Sequence, residues 1–359
     1  MIKYIGSKRV LVPWIVSVIQ HVNRVSPVET IVDLFSGSGR VGHALKKEGF
    51  KVHSNDLYGY AFVIAKCLVE SDASRYTRQK IEPLLAELNA LEGEAGYFTN
   101  EFCVESAFFK EKNGMRVDAA RKRIDELAPT DPLLHSILLT SLMLAADRVD
   151  STTGLQMAFL KAYAPRAEND LKLVYPDLVD GTGKATQEDA IELAPQLNAD
   201  LVYLDPPYNQ HSYLSNYHIW ETLVLNDSPA AYGMARKRED CKVRKSPFNF
   251  KREALPAMAA LVKRLDVPHL LVSFSDEGFY GIDDIEKVLQ ERGGYIRKMA
   301  RPHRRYIGAR IGIYNQKGVK VGKVSHVNNR EFLLLATRDK AVYDSFEEDN
   351  LALTEPLAL

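Results

Sequence analysis

Residues 30–56 read TIVDLFSGSGRVGHALKKEGFKVHSND, and this stretch decides the fold. A short apolar run, TIVDLF (30–35), is followed by SGSG. RVGHALKKEGF then sets Val41, Ala44 and Leu45 at helical spacing, with Gly49 as the cap. KVHSND (51–56) alternates and ends on an acid. Strand, glycine turn, helix, strand is a βαβ unit. Working outward, DLVYLD (200–205), HLLVSF (269–274) and FLLLA (332–336) read as further strands, the first stopped by Pro206 and Pro207. Strands separated by helical stretches predict an α/β fold with a mixed, mainly parallel sheet covered by helices on both faces.

Between 60 and 178 no strand pattern is convincing. Helical patterns occupy 77–91, 116–127 and 132–147, the last with the composition of a buried helix. We read 60–178 as an inserted, mainly helical subdomain, 1–59 together with 179–340 as the core, and 341–359 as a peripheral acidic tail. A chain of 359 residues, 46% hydrophobic and 26% charged, has room for such a plan and is too apolar for a disordered one. The longest apolar window, 137–146, falls well short of the roughly 20 residues a membrane span needs. The basic N-terminus is followed by no apolar run of signal-peptide length. Three scattered cysteines without a CxxC point to a reducing, intracellular compartment. Lys plus Arg and Asp plus Glu are both 47, so a polyanion site has to come from local clustering.

Gly37, Gly39 and Gly42 spell G-x-G-x-x-G between a strand and a helix, and Asp56 follows 19 residues after Gly37. The glycines let the backbone turn tightly beside a ligand, and the acid accepts the protons of two ribose hydroxyls. Any adenosine-type cofactor is served by this pattern, so the turn alone leaves both NAD and S-adenosylmethionine open. Asp33, inside an apolar strand, shifts the balance, because a carboxylate there is costly without a partner. It repels a pyrophosphate but suits the ammonium and sulfonium of S-adenosylmethionine.

Asp205-Pro206-Pro207-Tyr208 closes the strand LVYL (201–204). In an open α/β sheet, ligands bind beyond the carboxyl ends of the strands. Two prolines fix φ and remove two N–H donors, leaving a turn rich in acceptors between a carboxylate and an aromatic ring. Such a turn holds a planar amino group: Asp205 and the Pro206 carbonyl accept its two protons while Tyr208 stacks on the ring. The nitrogen lone pair is thereby withdrawn from conjugation and freed for in-line attack on a methyl group, with positioning and electrostatics as the catalytic terms. No metal-ligand spacing and no nucleophilic Ser or Cys motif is present.

YIGSK (4–8), DLFSGSG (33–39), ND (55–56), EDA (188–190) and DPPYN (205–209), in that order, resemble the motifs of the DNA adenine methyltransferases that modify the exocyclic amino group. The likeness covers most of the chain and weakens over 60–178 and beyond 340. It implies a class I, Rossmann-like methyltransferase fold whose target-recognition subdomain is inserted before DPPY. It also implies S-adenosylmethionine as cofactor. By the same resemblance Tyr4 and Lys8 belong to the N-terminal cofactor motif, Phe35 and Gly37 to the methionine end, Asp56 to the ribose and Asp189 to the adenine. Gly39 completes the turn, and Asp205, Pro206, Pro207 and Tyr208 form the catalytic site, Asp205 belonging to the cofactor set as well. The implied substrate is double-stranded DNA, in a prokaryotic or phage-type cytoplasmic enzyme, and a restriction–modification setting adds a separate cognate endonuclease. The same chemistry on ribosomal RNA, an amino-cytosine enzyme and a NAD-dependent oxidoreductase stand as alternatives.

Tyr4 and Lys8 are i, i+4 and share a face if a helix spans 3–19. To reach a strand-end pocket a base must be flipped out of the duplex. HSYLSNYHIWETL (211–223), dense in aromatics and amides, either walls that pocket or packs inward, the second reading suiting Trp220. Two basic clusters, 236–252 and 297–310, supply the charge for phosphate contact, with Lys237, Arg238, Arg244, Lys245, Arg304, Arg305 and Tyr306 as candidates for touching DNA.

Overall fold

The computed structural model describes residues 1–276, 278–304, 313–314, 320–322 and 328–346. The chain divides into two compact units: Met1–Val12, Thr30–Glu192 and His211–Ser246 form the first; Pro13–Glu29, Leu193–Gln210 and Pro247–Leu359 form the second.

In the first unit the expected βαβ motif is present. Strand β1 (Thr30–Asp33) pairs in parallel with β2 (Lys51–Asn55), Thr30 opposite Lys51 and Asp33 opposite Ser54. The helix Arg40–Lys47 connects them and ends where the Gly49 N–H donates to the Lys46 carbonyl. A short strand that the sequence pattern did not reveal, β3 (Lys184–Thr186), pairs in parallel with β2. Three residues are too few to show a period.

Helices fill the stretch between β2 and β3. Gly59–Ala65 runs into a wider π turn, and Arg78–Ala90, Glu111–Leu127 and Pro132–Arg148 follow. Asp131 caps the last by accepting from the Leu133 and Leu134 N–H groups, and Pro132 occupies the first turn. Its Ile137, Leu138, Leu139, Leu142 and Met143 are all buried, as the all-round apolar sequence predicts. Around it pack Phe98, Phe102, Phe108, Phe109 and Trp220, so the helical stretch and the helix His218–Leu225 share one core.

The second unit carries β4 (Leu201–Leu204), β5 (His269–Ser275), β6 (Tyr295–Arg304) and β7 (Asn328–Thr337), in the order β4-β5-β7-β6. β4 and β5 are parallel, with Leu204 opposite Val272, and β7 runs antiparallel to both β5 and β6. Every residue of β5 is buried, the pattern of a strand covered on both faces. Counted over both units, the seven strands are mixed and mainly parallel. No helix among the described residues is long and apolar enough to cross a membrane.

In the described part of the 297–310 cluster, on β6, the cations have partners within the protein. Arg297 lies over the Tyr343 ring and donates to the Tyr343 carbonyl, and Arg301 covers the Trp14 ring. Lys298 on the other face pairs with Glu286. These cations belong to the flank of an edge strand, where charge guards against further pairing.

Candidate functional site

The glycine turn of the first unit is built by two positive-φ residues, Gly37 (+49°) and Gly39 (+71°), the second serving as N-cap of Arg40–Lys47. A Cβ on Gly37 would lie 2.9 Å from the Tyr4 hydroxyl oxygen. The Gly37 N–H donates to Asp56 Oδ2 at 2.8 Å, and Asp56 Oδ1 accepts from the Tyr58 N–H at 3.1 Å. Burial drives the Asp56 carboxyl up to about 6, against the pull of those N–H groups. Asp33 is buried at the end of β1, and its Oδ2 accepts from the Gly42 N–H at 3.0 Å, a favourable place for negative charge in the first turn of a helix. Phe35 is half-buried.

Tyr4 stands over the turn in a ladder of rings. It stacks on Tyr217 at 4.6 Å and on Tyr213 at 5.2 Å, and its hydroxyl meets that of Tyr60 at 3.1 Å. Tyr217 in turn accepts from the Ile5 N–H. Lys8 is buried but shares no α-helix with Tyr4, which corrects the i, i+4 expectation. Gly6 adopts positive φ, Ser7 caps a single 3₁₀ turn over Lys8–Val10, and the α-helix starts only at Val12, as Pro13 in its first turn favours.

Asp189 is exposed and caps the short helix Ala190–Leu193 through the Ile191 and Glu192 N–H groups. The residue that fastens this loop to the turn is Asn55. Its amide donates to the carbonyls of Leu34 and Glu188 and accepts from the Glu188 N–H and the Thr186 hydroxyl. The sequence reading quotes Asn55 in the pair ND but gives it no role, because that role lies in its partners.

In the second unit β4 delivers Asp205-Pro206-Pro207-Tyr208 at its carboxyl end, with Pro206 buried and Asp205, Pro207 and Tyr208 half-buried. The Tyr208 carbonyl accepts from the Phe279 N–H at 2.9 Å, and the Tyr208 ring meets Phe274 edge-on at 5.2 Å. Phe274 is backed by Tyr280, stacked at 5.4 Å, and the Asn249 amide donates to the Asn209 carbonyl. Tyr208 is thus held by Phe274 of β5 and by the backbone of Phe279 beyond it, to which the sequence reading gave no role.

The stretch 211–223 mostly turns inward: Asn216, Tyr217, His218 and Trp220 are buried, and Tyr213 joins the Tyr4 ladder. Burial holds the His218 imidazole down at about 3, so it stays neutral. Among the candidate DNA-binding cations, Arg238 is only 3% exposed and forks onto Asp227 and Asp240. Arg244 bridges Asp240 and the buried Glu221. Both guanidiniums therefore have structural partners, as buried charges require. Lys237 is half-buried and Lys245 exposed. The Arg304 side chain, Arg305 and Tyr306 lie outside the described residues.

The mixed, mainly parallel sheet and its βαβ unit with a glycine turn are those of a Rossmann-like class I methyltransferase fold. Residues 4–268 match the family model of the D12 class N6 adenine-specific DNA methyltransferases, and the chain belongs to that family. Modification methylase StsI of Streptococcus sanguinis is 32% identical over 321 residues, 85% of this chain and 48% of the relative. Type II methyltransferase M.FokI of Planomicrobium okeanokoites is 31% identical over 322 residues, 85% and 49% of the two chains. The chain thus spans about half the length of these two. Type II methyltransferase M.NlaIII of Neisseria lactamica is 28% identical over 340 residues, 92% of this chain and 99% of that one.

Proposed function

We propose that this chain transfers a methyl group from S-adenosylmethionine to the exocyclic amino group of adenine in double-stranded DNA. It would do so in the cytoplasm, as the modification partner of a separate restriction endonuclease. The observation that carries the reading is the strand end Asp205–Tyr208, whose ring and backbone are held by Phe274 and Phe279.

The cofactor fits the residues of the first unit. Gly37 turns tightly beneath Tyr4 at a positive φ, Asp56 offers a carboxylate to a ribose diol, and Asp33 sets negative charge beside the turn. Tyr4, Lys8, Phe35, Gly39 and Asp189 complete the proposed cofactor set. When bound, S-adenosylmethionine supplies an electrophilic methyl carbon on a sulfonium. Asp205 and the Pro206 carbonyl accept the two amino protons of the flipped base, and Tyr208 holds its ring in plane. Pro206 and Pro207 keep those acceptors from rearranging, so little entropy is lost when the amine arrives. Lys237 and Lys245, with Arg304, Arg305 and Tyr306, are proposed to meet the DNA, whereas Arg238 and Arg244 shape the loop that carries the lysines. The segment 60–178 is proposed to read the target sequence.

The test is transfer of a labelled methyl group to unmethylated duplex DNA, with ribosomal RNA in parallel, followed by digestion to nucleosides. Label in N6-methyladenine of the duplex supports the reading; label confined to RNA, or in cytosine, refutes it.

A further inference from the structure

A two-stranded hairpin in the first unit carries Lys237 and Arg238 on one strand, but its tip has no part in the site described above. Ala231–Tyr232 pairs antiparallel with Lys237–Arg238, and the four residues Gly233–Arg236 form its tip. Met234 at the tip is 80% exposed, although a methionine ordinarily serves as core filler. The stalk beneath it is fastened by charge. Arg238 forks onto Asp227 and Asp240, and Arg236, at the rare φ of +49° for a non-glycine residue, is held by Glu101. Lys242 lies over the Tyr232 ring at 4.2 Å and pairs with Glu239, and Lys237 stands on the second strand just below the tip. From the stalk a continuous line of bonds runs inward: Asp240 to Arg244, Arg244 to Glu221 Oε1, Glu221 Oε2 to the Tyr60 N–H, and Tyr60 to the hydroxyl of Tyr4 over Gly37.

We propose that Met234 is an apolar wedge that enters the base stack of the DNA and fills the space the target nucleotide vacates. A rigid stalk presenting an exposed, adaptable apolar side chain between lysines matches what a kinked, unstacked duplex offers: an apolar gap bordered by phosphates. Extrusion costs unstacking free energy, and a group that occupies the gap offsets it. The line of bonds to Tyr60 and Tyr4 fixes the wedge relative to the glycine turn. This inference rests on the reading of the chain as a DNA adenine methyltransferase.

The experiment uses the full chain and a duplex carrying the sequence it modifies, with 2-aminopurine in place of the target adenine as the reporter of extrusion. Wild type should raise the fluorescence on binding. Met234→Ala should lose most of that rise and about tenfold or more in kcat/KM on a fully paired duplex, and recover on a duplex whose target adenine faces an abasic site, where little pairing is left to break. Met234→Leu and Val243→Ala, the latter on an equally exposed residue off the hairpin, should stay close to wild type. An unchanged Met234→Ala, an equal loss on both duplexes, or wild-type transfer with no fluorescence rise overturns the wedge alone. Wild type that transfers no methyl group to adenine overturns the underlying reading, and the wedge with it.

Discussion

The Gly37 amide and the Asp56 carboxylate are 2.8 Å apart, a bond that joins the turn after β1 to the end of β2. Asp56 is buried enough for its carboxyl to titrate near 6 while it holds a second N–H, that of Tyr58. One residue therefore shapes the turn and, in the role proposed for it, offers negative charge to a ribose diol.

Cofactor affinity should follow this titration. A carboxylate accepts two hydroxyl protons and a carboxylic acid does not, so binding should weaken as pH falls below about 6. Folding stability should move the other way. The folded pKa lies above the ordinary carboxyl value, so this group's contribution is full below about pH 4 and is lost as pH rises through 6. Asp56→Asn should remove both trends, which calorimetric titration with S-adenosylmethionine and thermal melts across pH 4–8 would show; parallel pH curves for the two proteins would refute it.

Gly37→Ala should be costly twice over, through its positive φ and through the 2.9 Å approach to Tyr4. We expect a stability loss of about 1–2 kcal/mol from the backbone and weaker cofactor binding, measured by melting and by titration. A variant with wild-type melting and affinity would show that the turn has room to spare.

Asp205→Ala should lower kcat by a factor of roughly 100 or more, since it removes a proton acceptor from the amine, and should leave the melting temperature nearly unchanged at this half-buried strand end. Tyr208→Phe should keep most activity and Tyr208→Ala should lose it, because the ring is what Phe274 positions while the Phe279 bond uses only the backbone. Single-turnover rates separate these outcomes. A collapse in stability for Asp205→Ala would make the acid structural.

The arginines and lysines of 236–252 should part company. Arg238→Ala takes the fork from Asp227 while Asp240 keeps Arg244, and should cost about 1–3 kcal/mol of stability through the lost charged hydrogen bonds. Lys237→Ala should leave stability alone and lower the slope of log affinity against log salt by about 1. Equal salt slopes for wild type and Lys237→Ala would take Lys237 out of contact with phosphate.

Much of the fold was legible because it rests on local signals. The glycine turn, the apolar strands β1, β2, β4, β5 and β7 and the all-apolar helix Pro132–Arg148 announce themselves by period and punctuation. What escaped depends on neighbours. The predicted helix at 116 in fact begins at Glu111 and runs through Gly114, where a Cβ would lie 2.3 Å from the Cys103 sulfur; that glycine marks close packing, not a break. β6 was hidden by its arginines, whose stems and guanidiniums cover aromatic rings. Among the site residues, the DPPY turn could be read from chemistry alone. Asn55, Phe274 and Phe279 could not, because their roles are to hold other residues, and holding is a property of three-dimensional partners. In the basic run 236–252, charge on paper does not show that Arg238 and Arg244 already have carboxylates.

The most direct measurement is base-resolution sequencing of genomic DNA from a host expressing this chain, beside a host expressing its Asp205→Ala variant. The account predicts N6-methyladenine at one recurring sequence in the first genome and none there in the second. Modified cytosines, or adenine methylation that survives loss of Asp205, would contradict it.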